Sequence, residues 1–230
     1  MEKSVKLIGI TKPVGFAVTG EIQTAEDLIS YCARVSNPNN QHNTLTSEKL
    51  LKYLVRNKHW SPFEMVHVVM EINTTRDIAR QILRHRSFSF QEFSQRYAEV
   101  TNDSFQIREA RFQDTKNRQN SVEIDHYVDE QVDLDKSWRM KQQQMQHEAQ
   151  LAYKWAIENG IAKEVARSVL PEGLTMSRMY MSGTLRSWIH YCDLRIGNGT
   201  QKEHRLIAEE CWDVLCDNFG FLEGLLDDTD

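Results

Sequence analysis

The segment RHRSFSFQEFSQRY, residues 84 to 97, sets Arg84, His85, Arg86 and Arg96 around alternating serine and phenylalanine. Between Thr74 and Tyr97 stand five arginines and no lysine. Guanidinium forks grip phosphate or carboxylate bidentately, whereas an ammonium acts as a mobile point charge, so this bias points to an anion held in a fixed pose. Gln81 lies three residues before Arg84 on the same helix face. Beyond that helix, Ser94 and Arg96 can turn toward the same pocket, with the phenylalanines as apolar walls. A second cluster repeats the theme. Arg186, His190 and Asp193 recur at i, i+4 and i+7 opposite an apolar stripe, Arg195 follows, and Arg167 sits on a short helix between the clusters. Together they suggest one composite site for a dianionic ligand and a planar heterocycle. The plain alternative is a hydrated surface whose arginines pair with Asp77, Glu92 and Glu99.

Other candidates say less. His59, in HWSPFE, lies between a helix and a strand where its ring can meet a ligand, although such a loop histidine more often bonds to backbone. His147, in HEAQL, lacks the second histidine of a zinc-protease helix, and no metal site is expected. No GxGxxG follows a strand and no GxxxxGK[ST] occurs, which argues against Rossmann and P-loop nucleotide sites, and there is no GxSxG nucleophile elbow.

The elements that must position these residues follow from periodicity and capping. Thr24 and Asp27 form a capping box for a helix carrying Leu28, Cys32 and Val35, and a second helix runs from Ser47 to Lys58. Pro62 then breaks the helical pattern. Val66, Val68, Met70 and Ile72 alternate with His67 and Glu71 as a strand. Thr74 and Asp77 predict a capping box for a helix through Ile78, Ile82 and Leu83, ending at RHR. Residues 101 to 121 read as a polar, exposed excursion, and residues 123 to 158 as a long helix stopped at Asn159-Gly160. IAKEVARSVL is a short helix halted by Pro171, LTMSRMYMSG a strand, SGTLRSWIHYCDLR a helix, and Gln201 to Asn218 a last helix before a frayed GLLDDTD tail. Helices with a small, mostly antiparallel sheet in one α+β domain over residues 1–230 is the expected fold.

Composition limits the partners. The 230 residues carry a net charge of −5, with 40% hydrophobic and 27% charged residues. No overall basic field exists to hold nucleic acid or an anionic membrane, and no apolar run is long enough to span a bilayer. The start of the chain is wrong for a secretory signal. Cys32, Cys192, Cys211 and Cys216 read as buried thiols in a reducing cytosol. The expected location is cytoplasmic, or the host cytoplasm for a viral protein.

RHR, seven residues, then Ser94 and Arg96 resemble the signature of the flavin-dependent thymidylate synthases. HWSPFE, Gln81, EVARSVLP, LRSWIHYCDLR and TQKEHR are similar to further segments of that family, so the resemblance covers most of the chain. It implies a homotetramer, not of Rossmann type, with active sites where subunits meet. The family methylates dUMP to dTMP, taking carbon from methylenetetrahydrofolate and reducing equivalents from NADPH through FAD. Carried onto this chain, Gln81, Arg84, Glu92, Ser94, Gln95, Arg96 and Arg167 surround dUMP, and Arg195 activates the uracil ring. His59, Ser61, Arg84, His85, Arg86, Gln91, Glu92, Thr184, Arg186 and His190 contact the flavin, with Gly183 as the alternative to Thr184. Gln95 stands where the family often has glycine. No protein nucleophile is required, and Ser94 is favoured for binding over attack because no base stands beside it in sequence. Two rivals remain: a nucleotide-binding module without catalysis, and a nucleic-acid binder, which the absent lysines disfavour.

Overall fold

The computed structural model describes residues 3–15, 22–100, 105–197 and 199–226. In chain order the elements are β1 (Val5–Ile10), α1 (Ala25–Ala33), α2 (Ser47–Arg56), β2 (His67–Thr75), α3 (Arg76–Ile82), β3 (Phe88–Glu92), β4 (Arg111–Gln113), β5 (Ser121–Glu123), α4 (Asp129–Glu158), α5 (Lys163–Ala166), β6 (Met176–Thr184), α6 (Leu185–Ile196) and α7 (Lys202–Asn218). Short 3₁₀ turns at Ser61–Met65, Arg167–Val169 and Gly220–Leu222 join them. The main sheet is antiparallel in the order β1-β2-β6-β3, and β4 pairs only with β5. This is the expected α+β architecture.

The sheet forms where alternation predicts it. Val68, Met70 and Ile72 of β2 and Met179 and Met181 of β6 are fully buried, so these side chains supply one wall of the core. Helices α6 and α7 cover them through Trp188, Ile189, Ile207, Ala208 and Leu215. Trp188 is itself buried and satisfies its indole N–H on the Val68 carbonyl at 3.1 Å, locking α6 to β2. All four cysteines are free, and burial pushes the Cys192 and Cys211 thiols up, so both stay protonated.

Two strand-to-helix junctions aim the site. Strands β2 and β6 each run directly into a helix, with Thr75 and Thr184 at the caps. His67 pairs with Thr184 and Thr75 with Met176, so α3 and α6 leave opposite ends of the strand pair. Their C-terminal ends converge, where the His85 and Tyr191 rings meet edge-on at 4.9 Å. Gly183 lies opposite both Val68 and Phe88, and a Cβ there would come within 2.4 Å of Phe88 Cδ1.

Several sequence expectations need correction. The Thr24–Asp27 capping box forms, but α1 stops before Val35, which is exposed. The Thr74–Asp77 box does not form: β2 continues through Thr75, and its hydroxyl donates to Asp77 Oδ1 at 2.6 Å. The Ser/Phe alternation makes strand β3, and Phe88 and Phe90 pack against the core rather than lining a pocket. Residues 121–123 are a strand, the long helix starts only at Asp129, and the helix after β6 starts at Leu185.

The polar excursion is pinned down over its described part. Phe105 bridges Thr175, and Arg108 bonds Thr75 and Asp77 at 2.7 and 2.8 Å. Arg111 pairs with Glu203 at 2.6 Å. Residues 101–104, and 227–230 of the expected tail, lie outside the described residues, while Leu225 and Leu226 rest against the core. Helix α4 does not bury its whole stripe: Ala149, Tyr153 and Ala156 are buried, but Trp138 is 46% and Met145 60% exposed. Among the described residues, no helix is long and apolar enough to cross a membrane.

Candidate active site

The RHR turn follows α3 and precedes β3, so its three side chains fan out from one bend. Arg84 and Arg86 are exposed, and neither has a carboxylate partner among the described residues. His85 is half-buried and accepts the Nε–H of Arg195 through Nε2 at 2.9 Å. Burial first, then the Arg195 charge, lowers the His85 pKa to about 4, so the ring is neutral and fit to accept. Gln81, one turn earlier, donates from Nε2 to Gln201 Oε1 at 2.8 Å, and its Oε1 lies 3.3 Å from His204 Nδ1.

The bland pairing pattern holds for part of the cluster. Arg76 meets Glu172 at 3.3 Å and Glu92 at 3.7 Å, and Arg80 is bound to Glu172. Asp77 is taken by Arg108, and Glu99 lies 3.4 Å from Lys163. Arg76 and Arg80 are therefore structural arginines. Arg96 is exposed, with its guanidinium 5.7 Å from the Tyr97 ring centre, and Arg167 donates Nε–H to the Glu164 carbonyl at 3.3 Å. Such contacts leave most guanidinium N–H groups of both residues available.

Around β3, Glu92 accepts from the Ser177 hydroxyl at 2.7 Å, and Gln91 is exposed. The Arg96 amide donates to Ser94 Oγ at 3.4 Å. No general base appears at the Ser94 hydroxyl among the described residues. Gln95 is buried, 3% exposed, and its Nε2 finds no partner among the described residues.

At the start of α6, the Thr184 hydroxyl accepts from the Ser187 amide at 3.2 Å and so serves as the helix cap. Arg186 is bound to Glu64 of the HWSPFE turn. The exposed His190 stands edge-on to Trp60, ring centres 4.5 Å apart, and burial followed by the Arg186 charge lowers its pKa. His59 and Ser61 are exposed on the same turn. Beside them a cleft of about 590 Å³ opens between α2 and α6, edged by Lys52, Arg56, Lys58, Trp60 and His190.

The residues thus assemble as two groups. Gln81, His85 and Arg195 meet at the converging helix ends, while Arg186 and His190 meet the HWSPFE turn. Gln201, Glu203, His204, Tyr191 and Arg111 belong to the first group and were not singled out from sequence. His204 shares the α7 stripe of Ile207, Ala208 and Cys211, where a histidine reads as core. TQKEHR was the only available pointer.

A family model described as "Thymidylate synthase complementing protein" matches residues 18–219. A probable flavin-dependent thymidylate synthase of Paramecium bursaria Chlorella virus 1 is 50% identical over 224 residues, covering 97% of this chain and 99% of that protein. The chain belongs to the flavin-dependent thymidylate synthase family. The flavin-dependent thymidylate synthase of Synechocystis is 49% identical over 205 residues, 89% of this chain and 90% of its own. Among solved structures, the UMP/dUMP methylase PolB of Streptomyces cacaoi, crystallised with 5-Br dUMP, shares the fold with TM-score 0.77 at 23% identity, over 94% of this chain and 91% of that one.

As a flavin-dependent thymidylate synthase, the chain should offer donors to an anionic flavin dinucleotide, and its residues fit. Arg84, Arg86, Arg56 and Lys58 have no carboxylate partner among the described residues, and Trp60 with His190 gives an aromatic flank. Glu92 is the exception, already engaged by Ser177 and Arg76.

Proposed function

We propose that this protein methylates dUMP to dTMP, with methylenetetrahydrofolate as carbon donor and NADPH as reductant acting through FAD. The observation that carries this is the Arg195–His85 hydrogen bond. It sets a guanidinium against His85 of the RHR turn in a fixed direction. A carboxylate in place of His85 would orient Arg195 equally well but would cancel its charge. Neutral His85 orients it and leaves the charge available. Negative charge developing at N3 and O4 of a uracil ring is stabilised by such a preorganised donor, with no proton in transit and no protein nucleophile.

Gln81, Arg84, Ser94, Gln95, Arg96 and Arg167 hold the nucleotide, chiefly its phosphate, and Glu92 orders the floor of this site through Ser177 and Arg76. His59, Ser61, His85, Arg86, Gln91, Arg186 and His190 hold the flavin, which when bound carries the reducing equivalents. Of the two candidates at the β6–α6 junction, Thr184 has the oxygen and Gly183 offers only backbone. Among the described residues, neither the RHR turn nor the Arg96 loop closes around an anion within one chain, in keeping with a homotetramer whose subunits share sites. The exposed Leu134, Trp138 and Met145 lie on one face of α4 and suit such packing.

An absorption spectrum tests the reading. The purified protein should be yellow and bleach on anaerobic addition of NADPH. A colourless protein that takes up no FAD refutes it.

A further inference from the structure

The direction of the hydrogen bonds behind Gln81 is set by the Glu203 carboxylate at the start of α7. Arg111, on the β4–β5 hairpin, donates to Glu203 Oε1 at 2.6 Å. Burial opposes the Glu203 charge, but the hydrogen bond from Gln201 and the nearby arginines prevail, and its pKa stays below the usual value. An ionised carboxylate can only accept. Gln201 must therefore turn its amide nitrogen to Glu203, which it does at 2.9 Å, and its carbonyl to Gln81. Gln81 must then spend an N–H on Gln201 and point its own oxygen at His204.

That oxygen needs a donor. His204 is fully buried and neutral, so Nδ1 carries its proton toward Gln81 and Nε2 is left to accept from the Tyr191 hydroxyl at 3.1 Å. Tyr191 in turn packs edge-on against His85, the acceptor of Arg195. Donation runs one way from Tyr191 through His204, Gln81 and Gln201 to Glu203, which also accepts from Arg111, and both amides are fixed against flipping. The described part of the 105–123 segment thereby gains a purpose, since its hairpin supplies the charged end.

We propose that His204 is a positioning residue: its Nδ1–H occupies the Gln81 carbonyl, so that Gln81 presents only N–H to an acceptor oxygen of the pyrimidine nucleotide. This rests on Gln81 lying at the dUMP site, as argued above. Without the Nδ1–H, the Gln81 oxygen has no donor and the amide is held through Gln201 alone, so the side chain is less firmly fixed and presents its second N–H to the nucleotide less often.

Three substitutions separate this role from simple packing, read by calorimetric binding of dUMP to the FAD-loaded protein and by the KM for dUMP. His204→Phe keeps the ring but has no donor, and His204→Gln reaches the Tyr191 side only. Both should weaken dUMP about tenfold. His204→Asn restores an N–H near the Nδ1 position and should recover affinity to within about threefold, despite leaving the larger void and the lower thermal midpoint. A packing role ranks the variants the other way, with affinity following stability. Glu203→Gln, at the acidic end, removes the carboxylate that fixes the polarity while leaving His204 and Tyr191 in place, and should raise the KM severalfold. His204→Asn binding as weakly as His204→Phe, or Glu203→Gln with the wild-type KM, overturns the inference and leaves the proposed reaction standing. Wild-type protein that fails to bind dUMP overturns both.

Discussion

Arg195 donates its Nε–H to His85 Nε2 at 2.9 Å across 110 residues of sequence. A charged group is thereby aimed by a neutral one. Arg195→Ala should lower turnover by about 10²- to 10³-fold, as loss of one preorganised donor does, while FAD remains bound with its usual absorbance. Normal turnover in that variant would remove Arg195 from pyrimidine activation.

Protonation should weaken the same centre. Burial followed by the Arg195 charge lowers the His85 pKa to about 4, and burial, Arg195 and His85 together lower that of His204 to about 3. Unfolded, both titrate near the ordinary imidazole value of 6.5, so below that pH the unfolded chain binds more protons than the native one. Stability from both groups is complete above about pH 6.5 and declines as pH falls toward about 4. Thermal midpoints should therefore drop before the carboxylates begin to protonate, and the drop should be shallower in His204→Asn. Equal slopes for both proteins would show that His204 is not the titrating group.

Gly183 separates Val68 from Phe88 at the sheet centre. Gly183→Ala places a methyl 2.4 Å from Phe88 Cδ1, and Phe88 is itself wedged edge-on against Trp188 at 4.9 Å. Overpacking of this kind costs about 1–3 kcal/mol, which chemical denaturation will register. An unchanged midpoint would mean that Phe88 moves freely.

Two arginines of one cluster should behave differently. Arg96→Ala should raise the KM for dUMP about 10- to 100-fold, the worth of a charge-assisted hydrogen bond. Arg80→Ala removes a surface ion pair with Glu172 and should change that KM by less than about twofold. Equal effects would argue that the unpaired state of Arg96 has no functional meaning.

Exposed aromatics on α4 call for a partner. If the proposed homotetramer packs through this face, Trp138→Glu should reduce the particle mass seen by light scattering and lower activity with it. A tetramer that persists with full activity would place the subunit contact elsewhere.

The sequence was most legible where structure is local. Apolar stripes and caps reveal α1, α2, α6 and α7, and alternation reveals β2 and β6, because each signal lies within one element. Strands β4 and β5 are three residues each, and their polar flank is held by Arg111–Glu203 and by Lys202 with Glu109 and Glu123, partners 79 to 93 residues apart. No local pattern announces them. Likewise Arg84 and Arg86 were visible as chemistry-bearing types. That Arg76 and Arg80 are consumed by Glu92 and Glu172, and that Gln81 leans on His204, depends on residues brought in from β3, the loop before β6 and α7.

The most direct test is tritium release from dUMP labelled at C5, measured on purified protein. Release should require FAD, methylenetetrahydrofolate and NADPH together, and should vanish in Arg195→Ala. A flavin-loaded protein that binds dUMP yet releases no tritium with all three present would contradict the assignment and leave a nucleotide-binding module without catalysis.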